Sequence, residues 1–121
     1  MKFTESHEWI NLDLSSDIAT VGVSNYAQNE LGEIVYVELP TVGKSVKAGG
    51  EVAVLESTKA AADVYSPVSG TIVEVNKQLS TASELVNKSP EKEGWIYKIK
   101  LTDKSEIDTL MDETTYKAKH K

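Results

Sequence analysis

Apolar and polar residues alternate in short stretches along this chain, separated by turns marked with glycine, proline or serine. His7 to Leu12 predicts a first strand with Trp9 as a large apolar anchor, and Ile18 to Val23 predicts a second. The polar, serine-rich stretch Asp13 to Asp17 joins them. Between Ser24 and Leu31 the alternation stops, and Ala27, Gln28 and Glu30 suit a short helix, capped by Ser24 or Asn25 and closed by Gly32. Glu33 to Leu39 returns to a strand, with Ile34 and Tyr36 on one side and Val35, Val37 and Leu39 on the other. Apolar side chains on both sides predict burial of both faces. Pro40 to Gly43 then turns the chain, Val46 and Lys47 form a short extended piece, and Ala48-Gly49-Gly50 turns it again.

Val52 and Val54 alternate with Ala53 and Leu55, and a second strand starts at Val64 and Tyr65, with Pro67 and Gly70 beyond it. This pattern predicts a hairpin with Lys59 at its tip, beside three small alanines. Gly70 to Val75 alternates again, and the polar stretch Asn76 to Ser83 follows. Glu84 to Asn87 suits one helical turn, and Lys88 to Gly94 a loop. Trp95, Tyr97 and Ile99 mark the apolar side of a last strand. Ile107, Leu110 and Met111 fall at i, i+3 and i+4, predicting a helix over Asp103 to Met111. Asp112 caps a final short helix containing Tyr116, and Lys117 to Lys121 is expected to fray into solvent. Trp9, Tyr36 and Trp95 are expected in the core.

The stretch Val37 to Val46 can be laid over Val64 to Val73 with a constant offset of 27 residues. Each copy reads strand, Pro-x-x-Gly, strand, which points to a duplication with two sheet halves related by a pseudo-two-fold. The expected architecture is therefore mainly β: a flattened, sandwich-like barrel of short strands with short peripheral helices. One domain spans residues 1–121, with its core over about 7–101 and C-terminal helices over 103–118.

Composition narrows the chemistry. Nineteen acidic residues against thirteen basic ones give a net charge of -6, which argues against nucleic acid as a partner. No apolar run is long enough to cross a bilayer, and no signal-type segment opens the chain. A cytoplasmic location is expected, or the mitochondrial matrix had a transit segment been removed. The absence of cysteine excludes disulfides, a thiol nucleophile and any cysteine-based metal site. Any sulfur redox chemistry must then come from an added group. His7 and His120, one at a strand start and one in the tail, do not make a metal site, and no nucleophilic triad or phosphate loop is visible.

An exposed lysine is ordinarily just a solvated charge. A hairpin tip offers Lys59 neither the burial nor the neighbouring positive charge that a Schiff-base lysine needs. It suits an acyl acceptor better. The segment Glu56-Ser57-Thr58-Lys59-Ala60 resembles the attachment hairpin of lipoyl-carrying domains, in which the lysine becomes lipoyllysine. The wider chain resembles the H-protein family of the glycine cleavage system. Ser6-His7-Glu8-Trp9, Leu31-Gly32-Glu33-Ile34-Val35, Val37-Glu38-Leu39-Pro40, Asp63 through Gly70, Glu84 to Asn87 and Gly94-Trp95-Ile96 follow its pattern in order.

That resemblance implies a lipoyl/biotinyl carrier fold with lipoic acid held covalently at Lys59, within the attachment motif Glu56, Ser57, Thr58 and Ala60. It implies a cleft in which Ser6, Glu8 and Asp63 receive the aminomethyl-loaded arm. The implied partners are glycine decarboxylase with pyridoxal phosphate, a tetrahydrofolate-dependent aminomethyltransferase and the FAD enzyme dihydrolipoamide dehydrogenase. A lipoate ligase or lipoyltransferase would load the arm. The protein itself would be a non-catalytic, monomeric carrier. Biotin fits less well, because biotin carriers flank their lysine with methionines and neither Met1 nor Met111 is near. Thr58 stands where the family commonly has valine, and Ala62 where serine or threonine is common. A lipoyl relay to 2-oxoacid dehydrogenases and an unmodified acidic interaction domain remain as alternatives.

Overall fold

The alternating segments fold into two antiparallel sheets in the computed structural model, which describes residues 1–13 and 15–120. Leu14, within the connection expected at Asp13 to Asp17, and the terminal Lys121 lie outside the described residues. The chain begins with β1 (Lys2–Phe3), β2 (Glu8–Leu12) and β3 (Ile18–Val23), then α1 (Asn25–Leu31) and β4 (Ile34–Glu38). Next come β5 (Ser45–Val46), β6 (Glu51–Ser57), β7 (Ala61–Tyr65) and β8 (Gly70–Val75). A 3-10 turn at Lys77–Ser80 and α2 (Leu85–Lys88) lead to β9 (Tyr97–Leu101). The chain finishes with a 3-10 segment at Lys104–Thr109, then β10 (Met111–Asp112) and α3 (Glu113–Lys119).

The seven-stranded sheet runs β10-β1-β2-β3-β9-β8-β5, and the three-stranded sheet runs β4-β6-β7. Val21, Ile72, Tyr97 and Ile99 of the first share one core with Ile34, Val37, Leu55 and Val64 of the second. Each aliphatic side chain among these, fully buried, contributes about 1.5–3 kcal/mol of transfer free energy. Both sheets stay open, so the arrangement is a flattened sandwich with peripheral helices. Helix α1 has the expected ends. Ser24 accepts from the Ala27 N–H as N-cap, and the Gly32 N–H, at φ 83°, donates to the Gln28 carbonyl.

The repeat is visible in the topology. In each copy the chain leaves the small sheet, as β4 or β7, and enters the large one, as β5 or β8. β5 then pairs antiparallel with β8, Ser45 opposite Thr71 and Val46 opposite Gly70. The matched glycines have different causes. Gly43 has φ 95° and supplies turn freedom, whereas a Cβ on Gly70 would collide with the Lys100 carbonyl oxygen of β9.

Four expectations need correction. The register of β4 on β6 shifts between Ile34 and Tyr36, so strict alternation fails: Ile34 and Val37 are buried while Val35 and Tyr36 are exposed. Tyr36 is therefore not a core residue, and Trp95 is only partly buried. The helix expected over Asp103 to Met111 is a 3-10 segment, and Met111 pairs with Phe3 as part of β10. An edge strand gains a hydrogen-bonding partner this way, which outweighs a weak local helical preference. The tail is also more ordered than expected, because α3 continues to Lys119. Lys119 pairs with Glu5 at 2.6 Å, and the His120 ring packs against His7 at 4.7 Å.

A second cluster explains why the C-terminus docks. Phe3, Trp9 and Tyr116 are buried together, with Trp95 and Met111 against them. The Phe3 and Tyr116 rings stack at 4.4 Å, and the Trp9 indole N–H donates to the Pro90 carbonyl at 2.9 Å.

Candidate functional site: the Lys59 hairpin and its cleft

Glu56 lies opposite Ala61 in the β6–β7 ladder, and the loop beyond them is tight. Neither Thr58 nor Lys59 has a positive φ, so this is not the glycine-requiring hairpin turn. Ser57 holds it instead. Its hydroxyl oxygen accepts from the Lys59 and Ala60 N–H groups, each at 3.1 Å, and donates to the Ala60 carbonyl, while its own N–H donates to the same carbonyl at 2.8 Å. The Thr58 N–H donates to the Glu33 carbonyl at 3.1 Å, tying the tip to the start of β4. Thr58, Lys59 and Ala60 are exposed. The lysine stem passes over Gly32, where an added Cβ would lie 3.4 Å from Lys59 Cε.

Beside the hairpin is a cavity of about 150 Å³, with Val23, Ala27 and Leu31 on one wall and Leu55 and Val64 on the other. Ser6, His7, Glu8, Glu30 and Asp63 supply its polar edge. Glu8 is 2% exposed. Its Oε1 accepts from the Ser6 and Thr4 hydroxyls, both at 2.6 Å, and its Oε2 accepts from the Tyr65 N–H at 3.2 Å. Burial pushes Glu8 above the usual carboxylate range, and these three donors pull it part of the way back. Among the described residues no lysine or arginine makes an ion pair with it. The cleft thus ends in a buried carboxylate held by three hydrogen-bond donors.

The structure brings Ser6, Glu8 and Asp63 to the lining of one cavity. Asp63 is exposed at the rim, opposite Val54 in the ladder. Glu56, Ser57, Thr58 and Ala60 belong to the tip and its stem, outside the cleft lining. Three participants were not expected at this site from the sequence. Thr4 and the Tyr65 backbone complete the Glu8 site, and His7 lines the cleft with φ 75°. His7 Nδ1 lies 2.7 Å from the Tyr116 hydroxyl, which lies 2.7 Å from Ser24 Oγ. Burial holds His7 below the usual imidazole range, and His120 adds to the effect. Ser24 caps α1, so the cleft wall is tied to α3 through contacts 92 and 109 residues apart in sequence. No local motif encodes such a link.

A two-sheet sandwich carrying a lysine on a hairpin tip is the architecture of the lipoyl-carrier class. The sequence model of the Glycine cleavage H-protein family matches residues 1–121. The chain is 53% identical over 115 residues to the glycine cleavage system H protein of Thermotoga maritima, covering 95% of this chain and 91% of that one. The Escherichia coli H protein is 50% identical over 118 residues, with 98% and 91% covered. The crystal structure of the Mycobacterium marinum H protein superposes with a TM-score of 0.88 at 33% identity, covering 98% and 94%. The chain belongs to the glycine cleavage H-protein family, whose members are the lipoyl-carrying shuttles of that system.

Proposed function

We propose that Lys59 bears the lipoyl group in amide linkage and that the adjacent cleft holds the loaded end of the arm. The observation that carries this reading is the exposed lysine on a hydrogen-bonded tip, its stem over Gly32, beside an apolar cleft ending in a buried carboxylate that has no ion-pair partner among the described residues. The residues fit the group. Val23, Leu31, Leu55 and Val64 suit its aliphatic chain, and the open tip leaves the attachment nitrogen accessible to a loading enzyme. When bound, the lipoyl group supplies the disulfide that a chain without cysteine lacks.

The protein's own residues orient and protect. Glu8 offers a negative charge to an ammonium reaching the cleft, and the hydroxyls of Ser6 and Thr4 hold that carboxylate in place. Asp63 adds a second negative charge at the rim. The apolar walls keep water from a labile amine-bearing carbon. The chain supplies no nucleophile or general base of its own to the reaction and acts as a non-catalytic carrier. Its partners in this reading are glycine decarboxylase, the tetrahydrofolate-dependent aminomethyltransferase and dihydrolipoamide dehydrogenase.

Intact mass after incubation with lipoate, ATP and a lipoate ligase tests the attachment. One lipoyl addition is expected in the wild type and none in Lys59→Ala. No addition under conditions that load a known carrier would overturn the reading. Glycine turnover with the three partner enzymes then tests the pathway, since a relay protein for other dehydrogenases would be loaded without supporting it.

A further inference from the structure

β4 is the edge of the three-stranded sheet and, among the described residues, pairs only with β6. Its bulge leaves Val35 and Tyr36 side by side on the surface, 53% and 52% exposed. Edge strands are normally blunted with charge, and bulges re-aim side chains toward a use. The ladder register places this pair at the attachment hairpin, with Ile34 opposite Ser57 and Tyr36 opposite Glu56. Glu33, Glu38 and Glu56 are all exposed around it. An apolar centre with an acidic rim therefore adjoins Lys59 on a strand tied to the tip through the Glu33 carbonyl.

We propose that Val35 and Tyr36 form the docking surface for the enzyme that acylates Lys59, a protein with an apolar pocket ringed by lysine and arginine side chains. This rests on the assignment of Lys59 as the attachment residue. An acylating enzyme must bring its activated acyl group within one lysine side chain's length of the tip, so the surface it grips has to adjoin the tip. Enzymes that work at the far end of a loaded arm are free of that requirement. The acidic rim steers a cationic partner, and a hydrogen-bonded tip with an aromatic anchor has less freedom to lose on docking.

The test is the initial rate of lipoyl attachment by a lipoate ligase, with lipoate and ATP, over a range of carrier concentrations. The double variant Val35→Ser, Tyr36→Ser is expected to lose about tenfold in kcat/KM, mainly through KM. Its thermal midpoint should stay near that of the wild type, because both side chains are half exposed. Val42→Ser, at 54% exposure, should be loaded as fast as the wild type. Once fully loaded, the double variant should support glycine decarboxylase turnover normally. Wild-type loading kinetics in the double variant would overturn the docking surface alone. A loss confined to decarboxylase turnover would also overturn it, assigning the patch to that enzyme. Failure of the wild type itself to accept lipoate would overturn the Lys59 assignment and the docking surface with it.

Discussion

Glu8 shows how much one residue's setting decides. Its place in Ser6-His7-Glu8-Trp9 was legible, but nothing local announces that it is buried and held by Thr4, Ser6 and the Tyr65 N–H. Because burial raises its pKa above the unfolded value, the native state binds this proton more tightly. The stability linked to Glu8 is complete below the unfolded pKa and is lost as pH rises through the folded one. Glu8→Gln removes that loss, although its single amide oxygen can serve the Tyr65 N–H or the Ser6 and Thr4 hydroxyls but not both, which adds a constant cost. The stability of Glu8→Gln relative to wild type should therefore rise as pH increases above the ordinary glutamate range of about 4. Urea midpoints at increasing pH measure it, and a difference independent of pH would refute it. A cationic group in the cleft should act in the same direction, since it supplies the counter-charge that burial denies.

Periodicity located most elements and missed their irregularities. A period of two cannot encode a bulge, because the extra residue is specified by how β4 lies on β6. The C-terminal apolar spacing was read as helix, yet β1 offered Met111 and Asp112 an unpaired edge. The paired Pro-x-x-Gly turns looked equivalent and are not. Gly70→Ala forces a side chain into the β9 backbone and should cost about 3 kcal/mol or more. Gly43→Ala meets no atom within 4 Å and should cost about 1–2 kcal/mol, from backbone strain alone. Urea denaturation of both variants checks the order, and equal losses would mean that the close approach to Lys100 is not the constraint.

Across the whole molecule, Tyr116 joins both ends of the chain to the cleft. Its ring stacks on Phe3 from β1, and its hydroxyl sits between His7 and Ser24. Tyr116→Phe keeps the stacking and should cost about 1 kcal/mol. Tyr116→Ala removes a buried ring and should cost about 3–5 kcal/mol. Calorimetric midpoints separate the two, and similar losses would show that the hydroxyl bridge dominates over packing. Acidification should also weaken this joint. His7 is held below its ordinary pKa, so its contribution is present above the unfolded value and is lost as pH falls through the imidazole range. Hydrogen-exchange protection factors at the amides of α3, referred to the intrinsic exchange rate at each pH, should fall over that interval in the wild type. The change should be blunted in His7→Asn, because asparagine accepts a positive φ and does not titrate.

Local chemistry was enough to specify the strand-rich pattern, the duplicated Pro-x-x-Gly unit, the capped helix α1 and the hairpin that lifts Lys59 into solvent. These depend on side-chain period, backbone freedom and capping, all of which act over a few neighbouring residues. The buried state of Glu8, the exposure of Val35 and Tyr36, the strand at Met111–Asp112 and the docking of α3 depend on segments far apart in the chain. Burial and pairing arise only when such segments meet. That is why Lys59 could be singled out from its neighbours, whereas the cleft beside it required the fold.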